Sequence, residues 1–151
     1  MLKRLMVVMA MTGLVSACDT LNDWFGRSPP PGAATPAPVP AQVSFMMFFD
    51  WGSAKMSDQG KATAKQAGAA FKSTGGTKAT VTGYTDTTGS NAYNNQLALR
   101  RANAVKDALV AEGIPAAAIT TTSSGEAGLL VPTGAQVNEA RNRRVEVVIS
   151  K

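Results

Sequence analysis

The sequence contains no histidine and one cysteine, and only 6% of its residues are aromatic. Histidine is the most frequent general base and the most frequent metal ligand, so many enzyme mechanisms lose their usual residue. A single cysteine, Cys18, forms no disulfide within the chain and completes no cysteine-based zinc site. The composition disfavours most enzyme classes, and it predicts neither a metal nor another cofactor.

The chain has a mild positive charge, +5 over 151 residues. Its basic residues are scattered, apart from the cluster of Arg141, Arg143 and Arg144. With few aromatic side chains to stack on bases, this pattern does not predict a nucleic-acid-binding protein. A hydrophobic content of 44% and this length suit one domain with a core, and not two.

The first 17 residues have the pattern of a signal peptide. Lys3 and Arg4 precede an apolar stretch at residues 5–15, which is too short to span a membrane as a helix. The small residues Ser16 and Ala17 stand directly before Cys18, as a narrow peptidase pocket requires. We predict a signal peptide at residues 1–17.

Residues 14–18, L-V-S-A-C, resemble a bacterial lipobox. The resemblance implies that Cys18 carries a diacylglyceryl group and becomes the mature N-terminus. The alternatives are an ordinary secretory signal with an incidental cysteine, or a free buried thiol. We expect a lipid-anchored protein of the cell outer membrane that faces the periplasm. Asp19, directly after the cysteine, leaves the inner membrane open as the destination.

Residues 18–42 lack helical or strand periodicity and contain two proline-rich stretches, at residues 28–32 and 36–40. Proline favours an extended backbone of about 3.1 Å per residue, which gives residues 18–41 a reach of roughly 70 Å at full extension, whereas a flexible coil of that length would average about 25–30 Å. The segment is therefore predicted to be a tether between the lipidated cysteine and a folded domain at residues 43–151.

Residues 43–151 alternate between short apolar runs and longer stretches with helical spacing. The predicted elements are a strand at 43–49, a helix capped by Ser57 and ending near Lys72, a strand at 78–84, a helix at 91–112 closed by Gly113, a weak strand at 119–123, a long loop at 125–140 and a strand at 143–150. The order β-α-β-α-β-β predicts an α/β two-layer sandwich, in which helices cover one face of a mixed sheet.

A candidate site lies between the second strand and the second helix. Asp86 comes just past the strand end, where side chains face a ligand more often than a core. Gly89 allows a tight turn into the helix. Asn94 and Arg101 share one face of that helix, since seven residues make about two turns. An acid, an amide and a guanidinium at one end of the sheet suit a zwitterion, because Asp86 accepts from an ammonium and Arg101 holds a carboxylate.

The same segment resembles the central signature of OmpA-like domains, T-D-x-x-G-x-x-x-Y-N-x-x-L-x-x-x-R-A-x-x-V, which occurs also in peptidoglycan-associated lipoproteins and flagellar stator proteins. This sequence has the signature without a gap as Thr85, Asp86, Gly89, Tyr93, Asn94, Leu97, Arg101, Ala102 and Val105. The N-R-R-V-E at residues 142–146 matches the family's closing motif, and residues 48–50 match its opening F-x-F-D loosely.

The resemblance implies non-covalent binding of peptidoglycan through the diaminopimelate of its stem peptides. Asp86 and Arg101 would be the main ligand-binding pair, Asn94 would assist, and Arg143 would add charge near the ligand. The protein is then expected to link the envelope membrane to the wall. Ala98 stands where the family often has serine. The loop at 125–132 departs from the common G-x-x-x-P spacing, so no ligand contact is carried over from it.

Three alternatives stand beside this hypothesis. In the first, Asp86 is only a turn or cap residue, and Arg101 is a solvated helix residue paired with it. In the second, the protein is a wall hydrolase, for which Asp50 and Asp86 are the best carboxylates; without histidine or a nucleophile elbow, we expect no enzyme. In the third, the domain is a subunit of an envelope, secretion or motility assembly, and the loop at 125–140 contacts protein partners.

Overall fold

The computed structural model describes residues 42–151. The predicted signal peptide, Cys18 and all but the last residue of the predicted tether lie outside this range. Within it, neither α-helix has the length and apolar character needed to cross a membrane.

Residues 42–151 form four strands and two α-helices in the predicted order. They are β1 (Val43–Phe48), α1 (Asp58–Thr74), β2 (Lys78–Tyr84), α2 (Asn91–Ala111), β3 (Ile119–Gly125) and β4 (Arg144–Ser150). Short 3₁₀ turns at Ala116–Ala118 and Ala140–Asn142 precede β3 and β4. The α/β fold class is confirmed. Two boundaries differ from the prediction in ways that affect the site, because β3 runs on to Gly125 and Arg143 lies before β4, not within it.

The helices begin and end where local chemistry satisfies their free backbone groups. Ser57 accepts a hydrogen bond from the Gly60 amide at 3.1 Å, as predicted for the cap of α1. Ser90 caps α2 in the same way, through the amide of Tyr93. Gly75 ends α1 in the left-handed conformation, which allows the helix to run two residues beyond Lys72.

The strands form one mixed sheet in the order β1-β4-β2-β3. β4 is antiparallel to both β1 and β2, whereas β3 is parallel to β2. The carboxyl ends of β1, β2 and β3 therefore share one edge of the sheet with the amino end of β4. This edge, called the site edge below, receives Asp50 after β1, Asp86 after β2 and Arg143 before β4.

The hydrophobic core lies between the sheet and the two helices. The buried strand residues are Met47, Ala79, Val81, Ile119, Val145, Val147 and Ile149, and the buried helix residues are Ala64, Ala67, Phe71, Ala102, Val105 and Leu109. Ala70 of α1 is partly buried and packs against the same core. Burying one large aliphatic side chain contributes about 1.5–3 kcal/mol, so this layer dominates the stability of the domain.

Close contact between β2 and α2 positions the second helix over the site edge. A Cβ atom on Gly83 would lie only 2.1 Å from the carbonyl oxygen of Ala98. The missing side chain of Gly83 thus lets the strand approach the helix backbone directly. This contact lies beside the helical face that carries Asn94 and Arg101.

Candidate ligand-binding site at the sheet edge

A cavity of about 210 Å³ opens at the site edge. Its lining residues are Trp51, Gly52, Asp86, Thr88, Gly89, Tyr93, Asn94, Leu97, Arg101 and Arg143. All four side chains that the sequence suggested as ligand-binding residues are in this set. The segment after β1, the β2–α2 turn, the buried face of α2 and the residue before β4 each contribute to it.

Asp86 is 3% exposed and is held by three hydrogen bonds. Its Oδ1 accepts from the amide of Thr88 at 3.2 Å and from the Thr88 hydroxyl at 2.5 Å. Its Oδ2 accepts from Nη1 of Arg143 at 3.1 Å. Asp86 is thus a turn residue, as the first alternative proposed, but a carboxylate has about four acceptor positions and one remains on Oδ2.

Arg143 is the ion-pair partner of Asp86, a position that only the first alternative gave to Arg101. The pair is almost fully buried, since the side chains of Arg143 and Asp86 are 12% and 4% exposed. Arg143 also donates from Nε to the carbonyl of Phe49 at 3.1 Å and from Nη1 to the side chain of Asn138. Its guanidinium therefore joins the end of β1 to the β2–α2 turn.

Arg101 is completely buried and donates three hydrogen bonds to backbone carbonyl groups. Its Nε binds the carbonyl of Ser53 at 2.8 Å, its Nη2 that of Asp50 at 2.8 Å, and its Nη1 that of Tyr84 at 3.1 Å. The guanidinium also lies 5.4 Å from the centre of the Phe49 ring. The suggestion of a solvated arginine paired with Asp86 is therefore wrong, because Arg101 is buried and donates to backbone carbonyls. These hydrogen bonds connect α2 to the segment that follows β1 and to the end of β2.

Burial lowers the pKa of Arg101 from its ordinary value to about 10, and the nearby positive charge of Arg143 acts in the same direction, whereas Asp86 opposes the shift. Arg101 is therefore protonated at neutral pH. A guanidinium has five N–H groups. Three of those on Arg101 bind the carbonyls, so two, one on each terminal nitrogen, have no partner among residues 42–151.

Glu126 fixes the orientation of Asn94 and was not recognised as part of the site. The Asn94 Nδ2 donates to Oε2 of Glu126 at 3.0 Å and to the carbonyl of Asp86 at 3.4 Å. An ionised carboxylate only accepts hydrogen bonds, so the amide nitrogen faces Glu126 and Oδ1 is left for the cavity. Asn94 thus offers an acceptor. The available signal was that Glu126 directly follows a strand parallel to β2.

Two aromatic side chains form the outer walls of the cavity, and neither was given a role from the sequence. Trp51 is 65% exposed and donates from Nε1 to the hydroxyl of Thr88 at 3.2 Å. Tyr93 is 45% exposed and stands at the first turn of α2. The only sequence signal for Tyr93 was its place in the signature, and Trp51 gave none beyond its position after Asp50. Charged groups at the base and aromatic walls suit a ligand with a polar end and an aliphatic chain.

The loop between β3 and β4 forms hydrogen bonds with the β2–α2 turn of the site. The side-chain amide of Gln136 accepts from the backbone N–H of Gly89 and donates to its carbonyl, each at 3.0 Å. The backbone N–H of Gln136 donates to the carbonyl of Thr87. Farther along, Asn142 is fully buried and pairs with both backbone groups of Val131, at 2.8 and 2.9 Å. The loop therefore supports the β2–α2 turn, although most of its side chains are exposed.

The unpaired hydrogen-bond acceptors and the unpaired donors of the cavity belong to different residues. Asp86 and Asn94 each have one acceptor oxygen without a partner, and the fully buried Arg101, which also lines the cavity, has two N–H groups without a partner among residues 42–151. This arrangement can bind a ligand that carries an ammonium and a carboxylate close together. Among residues 42–151, no group of three acidic, cysteine or histidine side chains lies close enough to hold a metal ion.

Comparison with known proteins places these features in a family. The sequence profile of the OmpA family matches residues 48–143. An outer membrane protein of Gluconacetobacter diazotrophicus is 35% identical over 119 residues, which cover 75% of this chain and 31% of that protein. The probable lipoprotein YiaD of Escherichia coli is 34% identical over 102 residues, which cover 68% of this chain and 47% of that protein. The chain thus matches less than half of the length of each of these relatives.

Solved structures agree with the sequence profile. The peptidoglycan-associated lipoprotein of Burkholderia pseudomallei superposes with a TM-score of 0.63 at 30% identity, covering 70% of this chain and 89% of that structure. The expectation drawn from the signature at the β2–α2 turn is confirmed, and the chain belongs to the OmpA family.

Proposed function

We propose that this domain binds peptidoglycan non-covalently by holding the diaminopimelate of a stem peptide in the site-edge cavity. The free end of diaminopimelate carries an ammonium and a carboxylate on one carbon atom, and the rest of its side chain is aliphatic. The observation that carries the proposal is the separation of free acceptors from free donors within one cavity.

Each part of the ligand has a counterpart in the cavity. The ammonium takes the remaining acceptor position on Asp86 Oδ2 and the Oδ1 of Asn94. The carboxylate takes the two N–H groups of Arg101 that bind no carbonyl, within the positive field of Arg143. The aliphatic chain lies between Trp51 and Tyr93. Family membership supports the same ligand class, since one solved relative is described as peptidoglycan-associated.

The expected affinity suits a reversible attachment. Two sets of charge-assisted hydrogen bonds at roughly 1.5–3 kcal/mol each give about 3–6 kcal/mol. This corresponds to a dissociation constant in the millimolar range or somewhat below it. A wall that offers many identical stems to anchored domains increases retention through avidity.

We further propose that the chain is an envelope lipoprotein that acts by binding and not by catalysis. Lipidation of Cys18 would fix the protein to a membrane, with the domain in the periplasm. The names of two relatives, an outer membrane protein and a probable lipoprotein, support this location. Residues 18–42 would then span the gap between membrane and wall.

Co-sedimentation with purified peptidoglycan sacculi tests the proposal, using residues 18–151 with Cys18→Ser. Asp86→Asn keeps the shape of the side chain and removes its charge, so we expect binding to weaken about 10- to 100-fold. Asp107→Asn removes an exposed carboxylate from α2 and should pellet like the parent protein. Free meso-diaminopimelate at millimolar concentration should release the bound protein. Normal pelleting of Asp86→Asn would contradict the assignment.

A further inference from the structure

A second cavity, of about 390 Å³, lies beside the first at the site edge. Its lining residues are Phe48, Phe49, Asp50, Lys55, Ser57, Ala140, Arg141 and Arg143. Arg143 lines both cavities, so they are adjacent at this residue. The second cavity is called the basic cavity below.

The basic cavity combines an apolar wall with an excess of positive charge. The apolar wall is supplied by Phe48, the last residue of β1, which is 47% exposed. Three cationic side chains, those of Lys55, Arg141 and Arg143, stand against the single carboxylate of Asp50. This balance favours a ligand with a negative charge on a partly apolar chain.

The three cations differ in whether a carboxylate already neutralises their positive charge. Arg143 is paired with Asp86, and Arg141 is paired with Glu139, which raises the pKa of Arg141. Lys55 is exposed, and no carboxylate among residues 42–151 lies within ion-pair distance of its ammonium. Lys55 is therefore the cation in this cavity with a charge available to a ligand.

We infer that the basic cavity is a second subsite for the same wall ligand, and that Lys55 binds a further carboxylate of the stem peptide, on a residue next to the diaminopimelate. The inference rests on the proposed function, because the first cavity fixes the position of the ligand. The apolar wall at Phe48 packs against the peptide chain between the two charged groups. The subsite makes the domain prefer a stem peptide to the free amino acid.

Calorimetric titration with two probes tests the inference, again with residues 18–151 carrying Cys18→Ser. Free meso-diaminopimelate fills only the first cavity, whereas a soluble stem tripeptide with meso-diaminopimelate reaches both. Lys55→Met should weaken binding of the tripeptide about 3- to 10-fold and leave binding of the free amino acid unchanged. Lys65→Met, an exposed position on α1 that lines neither cavity, should change neither affinity.

The outcomes separate the two proposals. If Lys55→Met and the parent protein bind the tripeptide equally while free diaminopimelate still binds, the second subsite is refuted and the first cavity stands. If Lys55→Met weakens both probes to the same degree, the lysine acts on the first cavity and the subsite is again refuted. If the parent protein binds neither probe, the proposed function fails and the subsite fails with it.

Discussion

Arg101→Met should unfold the domain more easily, quite apart from any effect on ligand binding. Methionine fills a similar volume and donates no hydrogen bond. The change leaves the carbonyl groups of Asp50, Ser53 and Tyr84 without their donor inside a buried region. An unsatisfied buried polar group costs about 1–3 kcal/mol. Part of this loss is offset, because the depressed pKa of Arg101 means that burying its charge is itself unfavourable. We expect a net destabilisation of about 2–5 kcal/mol.

Urea denaturation followed by far-UV circular dichroism measures this effect. With a denaturant slope of about 1–3 kcal/mol per molar, the midpoint should fall by roughly 1–3 M. Arg100→Met is the matched control, since Arg100 is the exposed neighbour on the same helix and its loss should leave the midpoint almost unchanged. An Arg101→Met protein that unfolds at the midpoint of the parent would refute the structural role described here.

The result bears on how binding experiments are interpreted. A pull-down in which Arg101 variants fail to bind cannot distinguish a lost ligand contact from a loosened fold. Asp86→Asn keeps an acceptor for both Thr88 hydrogen bonds, but it removes the charge partner of the buried Arg143 guanidinium and places an amide NH₂ group against its Nη1. Both variants must therefore be compared with the parent protein by urea denaturation before a loss of peptidoglycan binding is assigned to a lost ligand contact.

Two further changes test the framework of the site. Gly83→Ala would place a Cβ atom 2.1 Å from the Ala98 carbonyl oxygen, so β2 and α2 must separate. The melting temperature should fall by an amount equivalent to about 2–4 kcal/mol. Gly134→Ala is the control, because its Cβ would meet no atom within 4 Å, and it should leave the melting temperature unchanged. Asn142→Ala removes both hydrogen bonds to Val131 and should cost about 1–3 kcal/mol, with faster amide exchange at Val131. Unaltered exchange there would show that the loop is held by other contacts.

Local patterns in the sequence were sufficient to predict the elements of this fold. Apolar periodicity separates strand from helix, and Ser57 marks the start of α1 through its hydrogen bond to the first turn. The order of strands in the sheet was not predictable in the same way. β4 lies between β1 and β2, and that pairing depends on contacts between residues about a hundred positions apart, such as Phe48 and Arg144.

Prediction of the candidate site from sequence is limited in the same way, to contacts between residues that are close in the chain. Asp86, Asn94 and Arg101 lie within sixteen positions of one another, so a strand end and a helical face were enough to predict that they come together. The partners of these residues are distant in sequence: Arg143 for Asp86, Glu126 for Asn94 and the carbonyl of Asp50 for Arg101. Helical spacing tells which face a residue is on, but it does not identify the group opposite.

These distant partners determine which ligand the cavity favours. Because Arg143 already neutralises Asp86, a simple amine that takes the remaining position on Oδ2 meets a carboxylate whose charge is compensated and adds a second cation beside the guanidinium. A zwitterion brings a carboxylate as well, which gives the cationic groups a new partner while its ammonium binds Asp86. An unpaired Asp86 would attract any cation. The Asp86–Arg143 pair thus makes the cavity a less avid site for amines and a more selective one for a ligand that carries both charges.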